Sequence, residues 1–569
     1  MPIIAEQNLP AAERSLQSGT APMENRAHLS LRWLWALTLT LTAIAGFASA
    51  MIGNCQAKFH PYYFDPVVYQ YHCAELYWHI LGSNNFAGAL YEATHNAFYP
   101  LRTVPLALFC PSLLTQPLTP LATSLPALAL LIFLLGYTVY QRSGSKPLAF
   151  ASALLLTSLP AIYQTTYGIH AFWLDILAAL LIGSAFLCLV NYKYSSKDGW
   201  LVGFALCVSL TAFARYIAIV YALVSLYPIL LITLAQKRRA ESWTAARCWL
   251  SAGLSIFLPG AICGGFLLAH ASETYYYYHF LCYPLGCTVE TSVSNLFPFL
   301  CEKLFTGPYA LVLTAIWCIN FFASWRERRT AFLDAAWFIF PFASFLFLNL
   351  CVLRPWENLY IMWYAVPLFI VAAVTPYAPL PRHVLKLLTA IALTLAVPSL
   401  LFSVAANYKS ATEPDRLQSA IKLFDKEIAR ELVSTGPHTV WVAFFGEYSV
   451  VPIVEAFYQS GSLPRTPAEL TFSVHEAYWK AKYPRETTAE ICKTVSLLTN
   501  EKVQYAAVLA DPNRALSAET NWFDNEITRQ VAFHLAQEVT SSREWQFVRM
   551  LQHPQYGLIA LYKNKHLGD

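Results

Sequence analysis

Four charged residues interrupt apolar sequence in ways that chemistry can use. A charge at the middle of a membrane helix costs about 2.5–3.5 kcal/mol on insertion scales, so those that flank apolar stretches are functional candidates. Asp65 lies in Tyr62-Tyr63-Phe64-Asp65-Pro66. Asp followed by Pro is a good helix start, and the same carboxylate at a membrane boundary can take a proton from a hydroxyl as general base. Asp175 follows Tyr167-Gly168-Ile169-His170-Ala171-Phe172-Trp173-Leu174, and Arg215 sits in Ala212-Phe213-Ala214-Arg215-Tyr216. A fixed guanidinium fork matches a phosphate, so Arg215 is the candidate phosphate ligand; equally, Asp175 and Arg215 suit one another as an ion pair. Glu357, in Arg354-Pro355-Trp356-Glu357, is a weaker acid candidate. His170 could orient a ligand, although a lone His is more often a hydrogen-bonded structural residue. The run Tyr275-Tyr276-Tyr277-Tyr278-His279-Phe280 would stack against a sugar or prenyl surface or anchor the chain at an interface.

These residues must be positioned by membrane helices. Of 569 residues, 56% are hydrophobic and 13% charged, against roughly 45–50% and 25% in a soluble domain. That excludes a wholly soluble enzyme and a disordered chain. A net charge of +4 gives no reason to expect nucleic acid. Residues 405–569 hold 17 Lys or Arg and 19 Asp or Glu, half of all the charges, so a soluble unit follows a membrane one. Eleven apolar stretches of crossing length occupy 31–53, 119–140, 148–163, 172–191, 200–213, 217–235, 249–269, 308–324, 332–353, 359–377 and 384–405. Alternate loops carry 15 Lys or Arg, from Arg26 and Arg32 to Arg382 and Lys386, while the opposite loops carry only Lys58, Arg102, Arg215, Lys303 and Arg354. The bias predicts a cytoplasmic amino terminus and an outside carboxyl domain in a plasma (inner) membrane protein. A signal-peptide reading of the first span, suggested by Ala48-Ser49-Ala50, is opposed by the long polar segment before it.

The expected fold is an α-helical polytopic membrane protein of about eleven transmembrane helices with long outer loops, followed by an outer-face α/β domain. The boundaries are a polar cytoplasmic tail over 1–30, the membrane domain over 31–405 and the outer domain over 406–569. The long outer loops are 54–118 and 270–307, and loops of that length are usually functional or folded. In the first, Val67, Val68, Tyr71, Ala74 and Tyr77 recur at helical spacing, as in a helix lying in the interface. Six cysteines (Cys55, Cys73, Cys110, Cys282, Cys287 and Cys301) fall in these loops, where disulfides are permitted. In the outer domain, 414–435 reads as a helix, 439–445 and 504–509 as strands, and 546–551 with 557–562 as a hairpin. No DxD, GxxxxGK[ST], HExxH or GxSxG motif occurs, so nucleotide-driven and zinc-dependent chemistry have no support. No cofactor is expected, with a divalent metal left open.

With these residues placed, the front of the chain resembles the C-type membrane glycosyltransferases, the superfamily of protein O-mannosyltransferases and lipid A aminoarabinose transferase. Phe64-Asp65-Pro66-Val67-Val68-Tyr69 is similar to the family's Asp-x-x-x-Tyr start of a juxtamembrane helix. Asn96-Ala97-Phe98-Tyr99-Pro100-Leu101 is similar to its PPLYP segment, and Ser158-Leu159-Pro160 followed by Asp175 is similar to its Pro-to-Asp spacing. The resemblance covers about 31–405. It departs where Asn358-Leu359-Tyr360 stands before Pro367 in place of an Arg-Tyr pair, and where Asp65-Pro66 replaces Asp-Glu. It implies a polyprenyl-phosphate sugar donor, a glycan, lipid or protein acceptor at the outer face, membrane lipid as surroundings, Asp65 as base and Arg215 as phosphate ligand, with inversion at the anomeric carbon. Two readings compete: a transporter or flippase of a lipid-linked or small polar substrate, and a catalytically inactive membrane scaffold. The absence of an internal repeat argues against the first.

Overall fold

The computed structural model describes residues 23–59, 100–109, 119–165, 168–171, 174–240, 243–271, 381–413, 442–444, 505–513, 526–553 and 557–566, with isolated positions at 76, 87, 340, 341, 343, 344, 423, 424 and 427. The elements, in chain order, begin with α1 (Met23–Phe59), α2 (Pro100–Phe109), α3 (Leu121–Ser143), α4 (Lys146–Thr157) and α5 (Pro160–Tyr163). They continue with α6 (Asp175–Ser195), α7 (Asp198–Ala214), α8 (Tyr216–Ala240), α9 (Ala245–Ala269) and α10 (Arg382–Thr412). Then come β1 (Val442–Phe444), β2 (Tyr505–Leu509), α11 (Glu526–Ser541), β3 (Trp545–His553) and β4 (Gly557–Asn564). Among the described residues six helices are long and apolar enough to cross a membrane, and α4 and α7 are shorter apolar ones. The spans expected over 308–324, 332–353 and 359–377 lie outside the described residues, apart from isolated positions.

Helix α6 is the axis of this bundle. It is apolar all round after Asp175, and every residue from Asp175 to Tyr192 is buried, the pattern of a core helix. Helices α3, α7 and α8 pack around it, α9 covers α7, and α1 and α10 close on α3 and α4. Polar residues join the helices where lipid could not satisfy them: Asn191 Nδ2 donates to Thr138 Oγ1 at 2.8 Å, linking α6 to α3. The turn from α3 to α4 is short because Gly144, at φ +64°, caps α3 while the Ser145 hydroxyl accepts from Leu148 N.

Proline interrupts several of these helices, and a carbonyl four residues before a proline loses its donor. In hydrocarbon that group needs another. In α8, Pro228 frees the Val224 carbonyl, which accepts from Ser344 Oγ at 3.1 Å. In α9, Pro259 frees Ser255 O, which accepts from Tyr227 OH at 2.7 Å. The stretch read as one span over 148–163 is broken at Ser158-Leu159-Pro160 into α4 and α5. There Tyr163 OH donates to Thr157 O at 2.8 Å, and Ser399 Oγ, from α10, to Ser158 O at 3.2 Å.

The carboxyl-terminal sheet has the strand order β1-β2-β4-β3, with β1 and β2 parallel and the other pairs antiparallel. The hairpin read from sequence is present as β3 and β4, with a register irregularity between Phe547 and Arg549. Strand β2, one of the two inner strands of the sheet, is buried throughout, consistent with the apolar run that predicted it. Helix α11, absent from the sequence reading, packs on β2, with Leu535, Ala536 and Val539 among its buried side chains.

Candidate functional site

The helices bring two sets of polar groups to opposite ends of the bundle. At one end are the carboxyl end of α1, the α5–α6 connection, the start of α6 and the α7–α8 joint. At the other are the start of α1 and the ends of α3, α6 and α8, where Trp33 meets Tyr140 and Lys237 meets Lys193.

Asp175 is the first residue of α6, where the helix macrodipole favours an anion, and it is 2% exposed. Arg215 ends α7 with extended backbone, φ −161° and ψ 126°, its amide bonded to Thr211 O at 2.9 Å. Two consecutive antiparallel helices therefore present the acid and the base at the same end. Arg215 Nε lies 3.4 Å from Asp175 Oδ1, and the Arg215 side chain is 9% exposed. Such a pair, out of water, is attractive but weak evidence for stability, because desolvation offsets much of the Coulomb gain. Its chemical consequence is a guanidinium oriented through one edge by a carboxylate, in low dielectric.

His170 is fully buried beside this pair in the chain, in a tight connection where Gly168 N bonds Gln164 O and Ile169 N bonds Ile162 O. Gly168 is needed there: a Cβ would stand 2.6 Å from Gln164 O and 2.7 Å from Ile162 O, both backbone atoms. The imidazole Nε2 pairs with Gln56 Oε1 of α1 at 3.1 Å, and its ring rests against Gly53. Burial lowers its pKa to about 4 against the opposing effect of a backbone hydrogen bond at Thr165, so the ring is neutral at pH 7. As a neutral group it ties α1 to the α5–α6 connection; it brings no cation to the Asp175 end.

A second buried guanidinium was not singled out from sequence. Arg102 of α2 is fully buried and donates through Nη1 to Pro120 O at 3.1 Å and through Nη2 to Ser124 Oγ at 3.0 Å. Its signal in the sequence is a lone cation within Pro100-Leu101-Arg102-Thr103-Val104-Pro105-Leu106; charge counting alone assigns it merely to a side.

No protein-family model and no curated protein matches the chain. Among solved structures it is similar to ArnT from Cupriavidus metallidurans, crystallised with undecaprenyl phosphate. That likeness spans 94% of this chain and 98% of the other, with a TM-score of 0.47 and 14% sequence identity.

Of the residues selected from sequence, the structure joins Asp175 to Arg215 and sets His170 against α1. Asp65, Glu357, Tyr275 and Tyr276 lie outside the described residues. Among the described residues, no group of three or more His, Cys, Asp or Glu could hold a metal ion. Of the six loop cysteines, Cys55 is described and carries a free thiol.

Proposed function

We propose that the chain is a membrane glycosyltransferase that moves a sugar from a polyprenyl-phosphate-linked donor to an acceptor at the outer face. The observation that carries this reading is the buried Asp175–Arg215 pair, an oriented guanidinium at the end of the bundle opposite the basic end. Sequence motifs around Asp65 and Pro160 point to the same end. The basic end is read as cytoplasmic by the positive-inside bias. On that reading the Asp175 end is outer, and the proposal keeps a membrane domain over 31–405 and an outer domain over 406–569, in a plasma (inner) membrane with a cytoplasmic amino terminus.

In this proposal Arg215 binds the donor phosphate while Asp175 holds Nε, so that the leaving phosphate meets a positive group that needs no reorganisation. Asp65 takes the proton of the acceptor hydroxyl. The bond from the anomeric carbon to phosphate oxygen breaks, the bond to the acceptor oxygen forms on the opposite face, and polyprenyl phosphate leaves with the electron pair. Glu357, Tyr275 and Tyr276 remain candidates for the sugar or acceptor subsite.

The test is release of free polyprenyl phosphate from a lipid-linked sugar by the purified chain, with and without membrane extract as acceptor. Acceptor-dependent release with an inverted product supports the reading. Intact donor that crosses between leaflets of a proteoliposome instead identifies a transporter, and intact donor that stays in place identifies a scaffold; either outcome removes the enzyme proposal.

A further inference from the structure

The end of the bundle opposite Asp175 carries a different kind of site. Lys237, at the end of α8, is buried and donates to Lys193 O at 3.0 Å and to Ser196 Oγ, so it closes the carboxyl terminus of α6. Its ammonium also stands 5.3 Å from the centre of the Trp243 ring, while the Arg247 guanidinium lies 4.0 Å from that same ring. Aromatic faces of this kind hold cations in defined positions. Arg238 and Arg239 follow Lys237 directly and are exposed, as is Arg247 in the first turn of α9. Asp198, exposed at the start of α7, is the acidic group among the described residues near Tyr192 in this cluster; it is far outnumbered.

Immediately beyond Arg247 the surface becomes apolar. Trp249 and Leu250 are 76% and 74% exposed on α9, a surface that in a membrane helix belongs against acyl chains. With α9 read as a membrane span from its length and apolarity, Arg247 falls within a turn of the start of its apolar face.

We infer that Arg247, held over the Trp243 ring, and the exposed Arg238 and Arg239 that follow Lys237 form a binding site for an anionic phospholipid headgroup in the leaflet on that side. A phosphodiester with acyl chains fits both observations, since its charge meets the guanidinium groups and its tails cover the exposed face of α9. A soluble phosphate would use only the first. The inference stands apart from the transferase reading, because it concerns the other end of the bundle.

The probe is dioleoylphosphatidylglycerol added to the purified full chain in neutral detergent, with thermal unfolding as readout. Phosphatidylglycerol should raise the midpoint saturably, whereas dioleoylphosphatidylcholine and inorganic phosphate should not. Replacing three surface cations at about fivefold each should raise the half-saturating concentration roughly a hundredfold in Arg238→Gln/Arg239→Gln/Arg247→Gln. The corresponding triple change to Lys should retain most of the response. Equal stabilisation by phosphatidylcholine, or by inorganic phosphate, overturns the inference, and so does a Gln variant that responds like the native chain. Should the Gln variant fail to fold, salt decides: the native response must weaken as salt is raised, and one indifferent to salt overturns the inference.

Discussion

Replacing Arg215 separates its two proposed duties. In Arg215→Gln, Asp175 keeps its place at the start of α6, 2% exposed, but loses the guanidinium edge 3.4 Å away. Removing one partner of a buried pair costs about 3–5 kcal/mol. The favourable macrodipole at the α6 amino terminus returns no more than about 2 kcal/mol, so the loss expected in thermal or denaturant unfolding is about 1–5 kcal/mol. Arg215→Lys is the informative variant. It keeps a positive charge near Asp175, which restores most of that stability, but an ammonium is a point charge without the planar fork. If Nε serves Asp175 while the rest of the fork serves phosphate, Lys cannot do both in the same geometry, and polyprenyl phosphate binding should weaken about tenfold, or 1.4 kcal/mol. The assay pairs unfolding in one detergent with titration of polyprenyl phosphate by a change in intrinsic Trp fluorescence. A stable Arg215→Lys protein that binds the lipid phosphate as tightly as the native chain would refute the phosphate role and leave Arg215 as the partner of Asp175 alone.

Asn caps a helix about as well as Asp but cannot take a proton, so if Asp65 is the base proposed above, Asp65→Asn should lower transfer roughly 10²-fold or more with unchanged thermal stability; normal turnover would pass the role to Glu357 or Asp175. The buried His170 gives a pH signature. Its pKa is lowered from 6.5 to about 4 on folding, so its contribution is intact above 6.5 and declines as pH falls towards 4, by about 3 kcal/mol in all. Unfolding curves for His170→Gln should lack that part of the acid limb, and identical acid limbs would show the imidazole titrating freely. Tyr227→Phe removes the hydroxyl 2.7 Å from Ser255 O and should destabilise by about 1–2 kcal/mol, seen as a lowered unfolding midpoint. A cysteine placed at Arg238, in a background cleared of accessible thiols, should be labelled only from the cytoplasm, and one at Asp511 only from outside; labelling of both from one side would end the eleven-span topology.

The helices were legible because hydrocarbon demands both apolar side chains and an internally bonded backbone, and both requirements leave a local trace. The Asp175–Arg215 pair was legible for a related reason. Asp175 opens one apolar stretch and Arg215 closes the next, so a helical hairpin must bring them to the same end. The span read over 148–163 ran through Pro160, and the hydroxyls that bond the carbonyls near such prolines had no local mark either: Ser344 lies 120 residues from Val224, and Ser399 lies 241 from Ser158. Such pairings depend on which helices become neighbours, and nothing local encodes that. The same holds for Arg102 and Ser124.

Gln56 shows a subtler limit. Apolarity stops at Gly53, and a span drawn by hydropathy ends there, yet α1 continues to Phe59. Beyond the hydrocarbon a helix no longer needs apolar side chains, while its backbone still gains from remaining bonded. The extra turn therefore carries polar residues without a hydropathic mark. It is this turn that brings Gln56 to His170, 114 residues away, and so fastens the first span to the connection that leads into Asp175. The end of an apolar stretch marks where lipid ends; Gln56, which ties α1 to the Asp175 end, lies on helix that continues past it.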